Sequence, residues 1–147
     1  MSKTVSVLTL DHARTIIAAA FSKAAELDLM PLAVVVLDAG GHIKAIERQD
    51  GASNARPEVA MGKASGAISM GIGSRALFNR AEQQAYFVGA VNGLLGGKMV
   101  PVPGGVLVKD SDGNIMGAVG ISGDNSDNDE AAAVAGIEAT GLTPVTG

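Results

Sequence analysis

The sequence predicts an α/β fold of the α+β type, in which helices cover a single antiparallel β-sheet. Two stretches each read as a strand, a tight turn and a second strand: one surrounds the turn at 38–41, and the other the Asp-Gly turn at 112–113. Strands joined by such short turns must be antiparallel. Segments with apolar residues at the helical period precede, separate and follow them. The predicted order is therefore helix, hairpin, helices, hairpin, helix.

Length and composition favour one domain over residues 1–147, since 47% of the residues are apolar and 18% are charged. The chain has no Cys, which excludes disulfides and thiolate metal sites. Its net charge of −4 argues against a nucleic-acid partner. No apolar run of about 18 residues is present, so we expect no membrane span. The N-terminal stretch does not resemble a signal peptide, which predicts a cytoplasmic location.

The first half of the chain predicts a helix and the first hairpin. A helix capped by Thr9 or Asp11 should continue to about Leu27, because its apolar residues follow the helical period. The run 32–37 is apolar throughout and predicts a central strand. The partner strand, 42–47, has a mixed alternation that does not assign one face clearly to the core.

The second half predicts three helices and the second hairpin. Pro57 suits a helix start, and this helix should reach about residue 70 despite two internal glycines. A second helix is expected at about 75–90, the second hairpin at 106–109 and 115–122, and a last helix at about 127–140.

The acidic stretch before the last helix predicts a cap rather than a calcium loop. An EF-hand that began at Asp124 would need Gly at position six and Glu at position twelve, but Asp129 and Ala135 stand there. Asp127 and Glu130 instead have the spacing of a capping box. We therefore expect Asp127 to cap the last helix.

Two basic residues are candidates for binding an anion. Arg75 follows Gly71–Ser74 at a predicted helix start, where backbone N–H groups and a guanidinium suit a carboxylate; alternatively, Arg75 pairs with a surface acid. Lys63 lies in an otherwise apolar helix. Its ammonium either reaches water along the surface or points into a pocket as an anion binder or acid/base group.

The two histidines, His12 and His42, are the candidate ligands for a metal or a haem iron. The alternative is that both imidazoles are solvated, His12 near a helix start and His42 after a tight turn. The sequence leaves this choice open.

Three segments, 34–52, 63–67 and 102–132, resemble the family of small proteins related to HbpS, to GlcG and to the C-terminal domain of PduO-type cobalamin adenosyltransferases. The resemblance implies an antiparallel sheet between helices, assembly as dimers or larger oligomers, and haem binding or haem degradation in some members. The family pattern marks these positions of this sequence: Asp38, Gly41, Asp50, Gly51, Lys63, Gly104, Gly105, Gly117, Gly120, Ser122, Gly123, Asp129 and Glu130.

The resemblance yields the first functional hypothesis, a cytoplasmic homo-oligomer that binds haem or a related tetrapyrrole. The ligand would lie in a subunit or helix–sheet crevice, with His12 or His42 as the axial ligand. A separate, non-catalytic hypothesis is a scaffold protein whose function is the oligomer itself.

The alternative is an enzyme of the isomerase, hydratase or hydrolase class that acts on a small carboxylated metabolite from a catabolic operon. Lys63 and Arg75 would bind the anion, and Asp50 or Glu130 would transfer a proton. The ligand would also be bound by Arg75 together with Gly104, Gly105, Ser122 and Gly123.

Overall fold

The computed structural model describes residues 6–147; the N-terminal stretch that argues against a signal peptide lies partly outside them. The elements are α1 (Leu10–Glu26), β1 (Ala33–Asp38), β2 (Ile43–Arg48), α2 (Arg56–Met70), α3 (Ser74–Gln83), α4 (Ala85–Leu94), β3 (Gly105–Lys109), β4 (Ile115–Ser122), α5 (Ser126–Glu138) and β5 (Thr143–Val145). The five strands form one antiparallel sheet in the order β2-β1-β4-β3-β5. The predicted fold class is confirmed. Across the described residues, no helix combines the length and the apolar character needed to span a bilayer.

The sheet lies between two helical layers. Helices α1 and α5 pack together on one face, over a core that includes Ile16, Val34 and Ile137. Helix α2 covers the other face, against Val35 and Leu37. Because β1 is covered on both faces, all its residues from Ala33 to Leu37 are buried. That explains why this strand is continuously apolar in the sequence.

Glycines allow α2 to lie directly on the backbone of the sheet. A Cβ added to Gly120 would stand 1.9 Å from the carbonyl oxygen of Ala60, and one added to Gly105 would stand 2.2 Å from that of Lys63. A side chain at either position would therefore force the helix away from the sheet.

The predicted helix at 75–90 is wrong as a single element. The backbone at Gln84 has φ −137° and ψ 58°, which ends α3 and starts α4, and α4 continues to Leu94. This break lets Leu77 of α3 and Val88 of α4 both pack on Met99 in a third cluster. Strand β5 was not expected, since it has three residues, one of them Pro, and pairs only at the edge of the sheet.

The prediction that Asp127 caps the last helix is also wrong. The N-cap is Asn125, whose extended backbone lets its Oδ1 accept the N–H of Asn128 at 2.8 Å. Asp127 lies in the first turn of α5 with a side chain that is 79% exposed. At the start of α1 the cap is Thr9 rather than Asp11, the other residue proposed.

Candidate functional site

An open cleft of about 640 Å³ lies between the β1–β2 hairpin, α2 and the loop that follows α4. We call it the hairpin cleft. Its apolar walls are contributed by all three segments, through Ile43, Ile46, Pro57, Met61 and Val100. Its polar groups are His42, Glu58, Ser65 and Lys98. Concave sites of this size and composition are typical of small-molecule binding.

A β-bulge forms the hairpin wall of this cleft. Leu37 pairs with Ile43 and Val35 pairs with Ile46, so β2 has one residue more than β1 between these pairs, at Lys44. The extra residue places Ile43 and Ile46 on the same face, the face on which Val35 and Leu37 contact α2. The bulge therefore explains the mixed alternation of this strand in the sequence.

Two glycines in α2 make room for the loop that follows α4 and forms one wall of the hairpin cleft. The N–H of Val100 donates to the carbonyl of Gly62 at 3.1 Å, and a Cβ at Gly62 would stand 2.4 Å from Val100 Cγ2. One turn later, a Cβ at Gly66 would stand 2.6 Å from Met99 Cγ. The internal glycines of this helix are thus required by the close approach of residues 99–100, at a cost in helix propensity.

His42 stands at the tip of the hairpin, where its backbone is held on both sides by one residue. The Oδ1 atom of Asp38 accepts the N–H of His42 at 2.9 Å and that of Gly40 at 3.0 Å. The N–H of Asp38 donates to the carbonyl of His42 at 2.8 Å. The exposed imidazole therefore projects from a well-defined turn beside the cleft.

Lys63 and Asp129 form a buried ion pair under the end of β4. The Lys63 side chain is 3% exposed, and its Nζ donates to Asp129 Oδ2 at 3.0 Å and to the Ile121 carbonyl at 2.8 Å. Burial lowers the pKa of the Lys63 ammonium and raises the pKa of the Asp129 carboxyl, although their mutual attraction opposes both shifts. The ammonium is thus out of water, contrary to the first alternative offered by the sequence, and it does not line the hairpin cleft. Its role as an anion binder or acid/base group stays a prediction.

Arg75 pairs with acidic residues, as the second of its two predicted alternatives stated. Its Nε donates to Glu130 Oε2 at 3.0 Å, and its Nη2 donates to Asp127. Its own backbone N–H donates to the Thr146 carbonyl at 3.3 Å, so the C-terminal segment lies against this helix start. The anion-binding role therefore has to compete with two carboxylates already in place.

The remaining ligand-binding candidates gather around the buried ion pair. Ser122 Oγ accepts a hydrogen bond from Arg56 at 3.1 Å. Gly104 has φ +118°, and a Cβ there would stand 2.9 Å from Lys63 Nζ; a Cβ at Gly123 would stand 2.2 Å from the Pro31 carbonyl oxygen. Backbone packing is sufficient to require these glycines.

Asp50 and His12 lie elsewhere on the molecule. Asp50 borders an open, polar cleft of about 560 Å³ beside Phe21 and Arg48. His12 borders one of about 400 Å³, and its Nδ1 accepts the N–H of Thr9 at 3.1 Å. A neutral imidazole with this bond has its proton on Nε2, which leaves no free ring nitrogen for a metal. His12 is thus the weaker of the two candidate ligands.

The structure therefore pairs Lys63 with Asp129, Arg75 with Glu130 and Ser122 with Arg56, and it leaves Asp50, His12 and His42 apart from these pairs. Within residues 6–147, no group of three or more His, Asp or Glu side chains could hold a metal ion. The catalytic and ligand-binding roles assigned from sequence stay predictions. Sequence reasoning missed Met61 and Lys98, because only the bulge and the α2 glycines bring them to one cleft.

Three solved structures share this fold. A PduOC–haem complex is 27% identical, with 93% of this chain and 97% of that chain covered at a TM-score of 0.83. A double variant of Streptomyces reticuli HbpS is also 27% identical, with 93% and 89% covered at a TM-score of 0.77. Klebsiella pneumoniae ORFY, a DUF336 protein, is 24% identical with 95% and 94% covered at a TM-score of 0.84, a likeness in fold alone.

No curated protein matches the chain. The family of HbpS-like haem-degrading proteins matches residues 8–138, which is nearly the whole sequence. It is the family that the hairpin and glycine motifs resemble. The chain belongs to the HbpS-like family.

Proposed function

We propose that this chain binds haem, or a closely related tetrapyrrole, in the hairpin cleft. The observation that carries this proposal is the juxtaposition in one cleft of apolar walls, the imidazole of His42 and the ammonium of Lys98. The PduOC–haem complex and the HbpS-like family support the choice of ligand.

The donor set of the cleft fits this ligand. The imidazole of His42, at the cleft edge, would be a suitable ligand for haem iron, and the thioether of Met61 would be a second one. Ile43 is 57% exposed and Ile46 is 38% exposed, and the two together offer an apolar surface to a porphyrin face. The volume of about 640 Å³ lies within the usual range of about 300–1,000 Å³.

Charge favours one orientation of the ligand. Lys98 attracts the carboxylates of haem, whereas Glu58 repels a carboxylate placed beside it. The propionates should therefore point toward the loop that contains Lys98. When bound, haem supplies an iron centre for redox chemistry; the chain positions the ligand and shields its faces from water.

A haem titration with matched histidine variants tests the proposal. The wild-type protein should bind one haem per chain with a saturable Soret shift. His42→Ala should lose this spectrum, because it removes the imidazole that would ligate the iron, while His12→Ala should keep it. A featureless titration of the wild type, or a loss confined to His12→Ala, would sink the proposal.

We also retain the cytoplasmic homo-oligomer as a proposal. Helix α4 has no charged residue, and Tyr86 and Leu94 on it are 76% and 85% exposed. Such a surface is typical of a contact between proteins. Light scattering should give a mass above that of one chain, and Leu94→Glu should lower it. A clean monomer at working concentration would contradict the proposed oligomer.

A further inference from the structure

The His42 imidazole lies directly over the α-carbon of Gly40. A Cβ added to Gly40 would stand 3.0 Å from His42 Cδ2 and 3.3 Å from Nε2. Favourable contacts between carbon atoms occur at about 3.5–4.0 Å. A side chain at Gly40 would therefore crowd the ring, which would have to shift by a few tenths of an ångström.

The backbone of Gly40 does not itself require glycine. Its neighbour Gly41 has φ +81°, in the left-handed region, but Gly40 lies outside that region. An alanine at Gly40 is thus conformationally allowed, and its main consequence is to push the imidazole away. This separates Gly40 from the many glycines of the chain that serve turns or close backbone contacts.

The backbone of His42 is therefore fixed and its ring lies beside Gly40, although His42 is exposed to solvent. Asp38 fixes its backbone through the bonds to both its N–H and its carbonyl. Gly40 leaves the surface on which its ring rests. An exposed histidine would otherwise exchange among rotamers and lose that freedom only on binding.

We propose that Gly40 is a positioning residue: by leaving room for the His42 ring, it pre-orients this imidazole toward a ligand in the hairpin cleft. The inference rests on the proposed haem function and adds to it the determinant of ligand geometry. Groups that orient a metal ligand commonly contribute about 10–100-fold to affinity.

The test is a double-mutant cycle of Gly40→Ala and His42→Ala, read by haem titration. Gly40→Ala should weaken haem binding by about 10–100-fold and alter the Soret spectrum. In the His42→Ala background, the same change should have no further effect, because the ring that it displaces is gone. Gly113→Ala is the control: it strains the other hairpin at φ +83°, with open space around it, and should leave haem binding unchanged.

NMR of the haem-free protein gives a readout that does not depend on haem. The wild type should show a cross-relaxation contact between the Gly40 α-protons and the His42 ring, whether or not the variants fold. Two results would overturn the positioning role: absence of that contact, or wild-type haem affinity and spectrum in Gly40→Ala. If His42→Ala still loses haem, the proposed function is unaffected. Failure of the wild type to bind haem overturns the proposed function, and the positioning role with it.

Discussion

Replacing Lys63 by Met should destabilise the protein strongly, because it leaves the Asp129 carboxylate unpaired in the core. At 3.0 Å and an effective dielectric constant of about 20, the attraction between the two charges is about 5.5 kcal/mol. Desolvation of each ion offsets several kcal/mol of this, so the intact pair contributes little net stability. Removal of Lys63 leaves Asp129 with its desolvation penalty but without the attraction that offsets it. We therefore expect the free energy of unfolding to fall by about 3–5 kcal/mol.

Urea unfolding at pH 7 measures this loss, and it corresponds to a fall in Tm of roughly 6–20 °C. The double variant Lys63→Met, Asp129→Leu is the control, since it removes both charges and should recover most of the stability. Additive costs in the double variant, or a cost below about 1 kcal/mol in Lys63→Met, would refute the reasoning.

The pH dependence of this variant has a definite sign. Burial raises the folded-state pKa of Asp129 above its usual range of about 4, and the loss of Lys63 removes the attraction that opposes this shift. A carboxyl whose folded pKa is raised stabilises the fold below its unfolded pKa, and this contribution is lost as the pH rises through the folded pKa. The cost of Lys63→Met should therefore be smaller at pH 5 than at pH 8. An equal or larger cost at pH 5 would contradict this assignment.

Two further changes test the local structure. Asn125→Ala should lower the free energy of unfolding by about 0.5–2 kcal/mol because it removes the cap of α5. Asp127→Ala breaks only an exposed ion pair and should cost about 1 kcal/mol or less. A larger loss for Asp127→Ala than for Asn125→Ala in urea unfolding would indicate that Asp127 is the cap after all. Gly105→Ala should be strongly destabilising, because an added Cβ would meet the Lys63 carbonyl. Gly89→Ala, in the open interior of α4, should instead stabilise the protein by about 0.5–1 kcal/mol. Similar effects of the two variants on Tm would contradict the close approach of α2 to the sheet at Gly105.

The sequence predicts both hairpins correctly because their signals are local. The 38–41 turn and the Asp112–Gly113 turn each lie between strand-forming residues, and the pairing needs no distant information. The break at Gln84 and the short strand β5 depend on contacts with remote parts of the chain. No Pro or Gly marks the break at Gln84 in the sequence, and β5 has too few residues for a period to be recognised.

The candidate site also combines a local sequence signal with features that depend on contacts in the folded chain. His42 stands out because it is one of two histidines and follows a turn. The cleft beside it depends on the bulge at Lys44 and on the packing of residues 99–100 against α2, and neither leaves a periodic pattern. The partners of Lys63 and Arg75 are 52 to 66 residues away in sequence, so their pairing could be seen only in the folded chain.

An NMR titration with gallium(III) protoporphyrin, a diamagnetic stand-in for haem, tests the location of the site most directly. Saturable amide shifts should be concentrated at the hairpin residues 41–46, the α2 residues 57–65 and the loop residues 97–100 that form the cleft. Shifts centred on His12, shifts centred on Asp50, or no saturable shift at all would contradict the assignment of the tetrapyrrole site to the hairpin cleft.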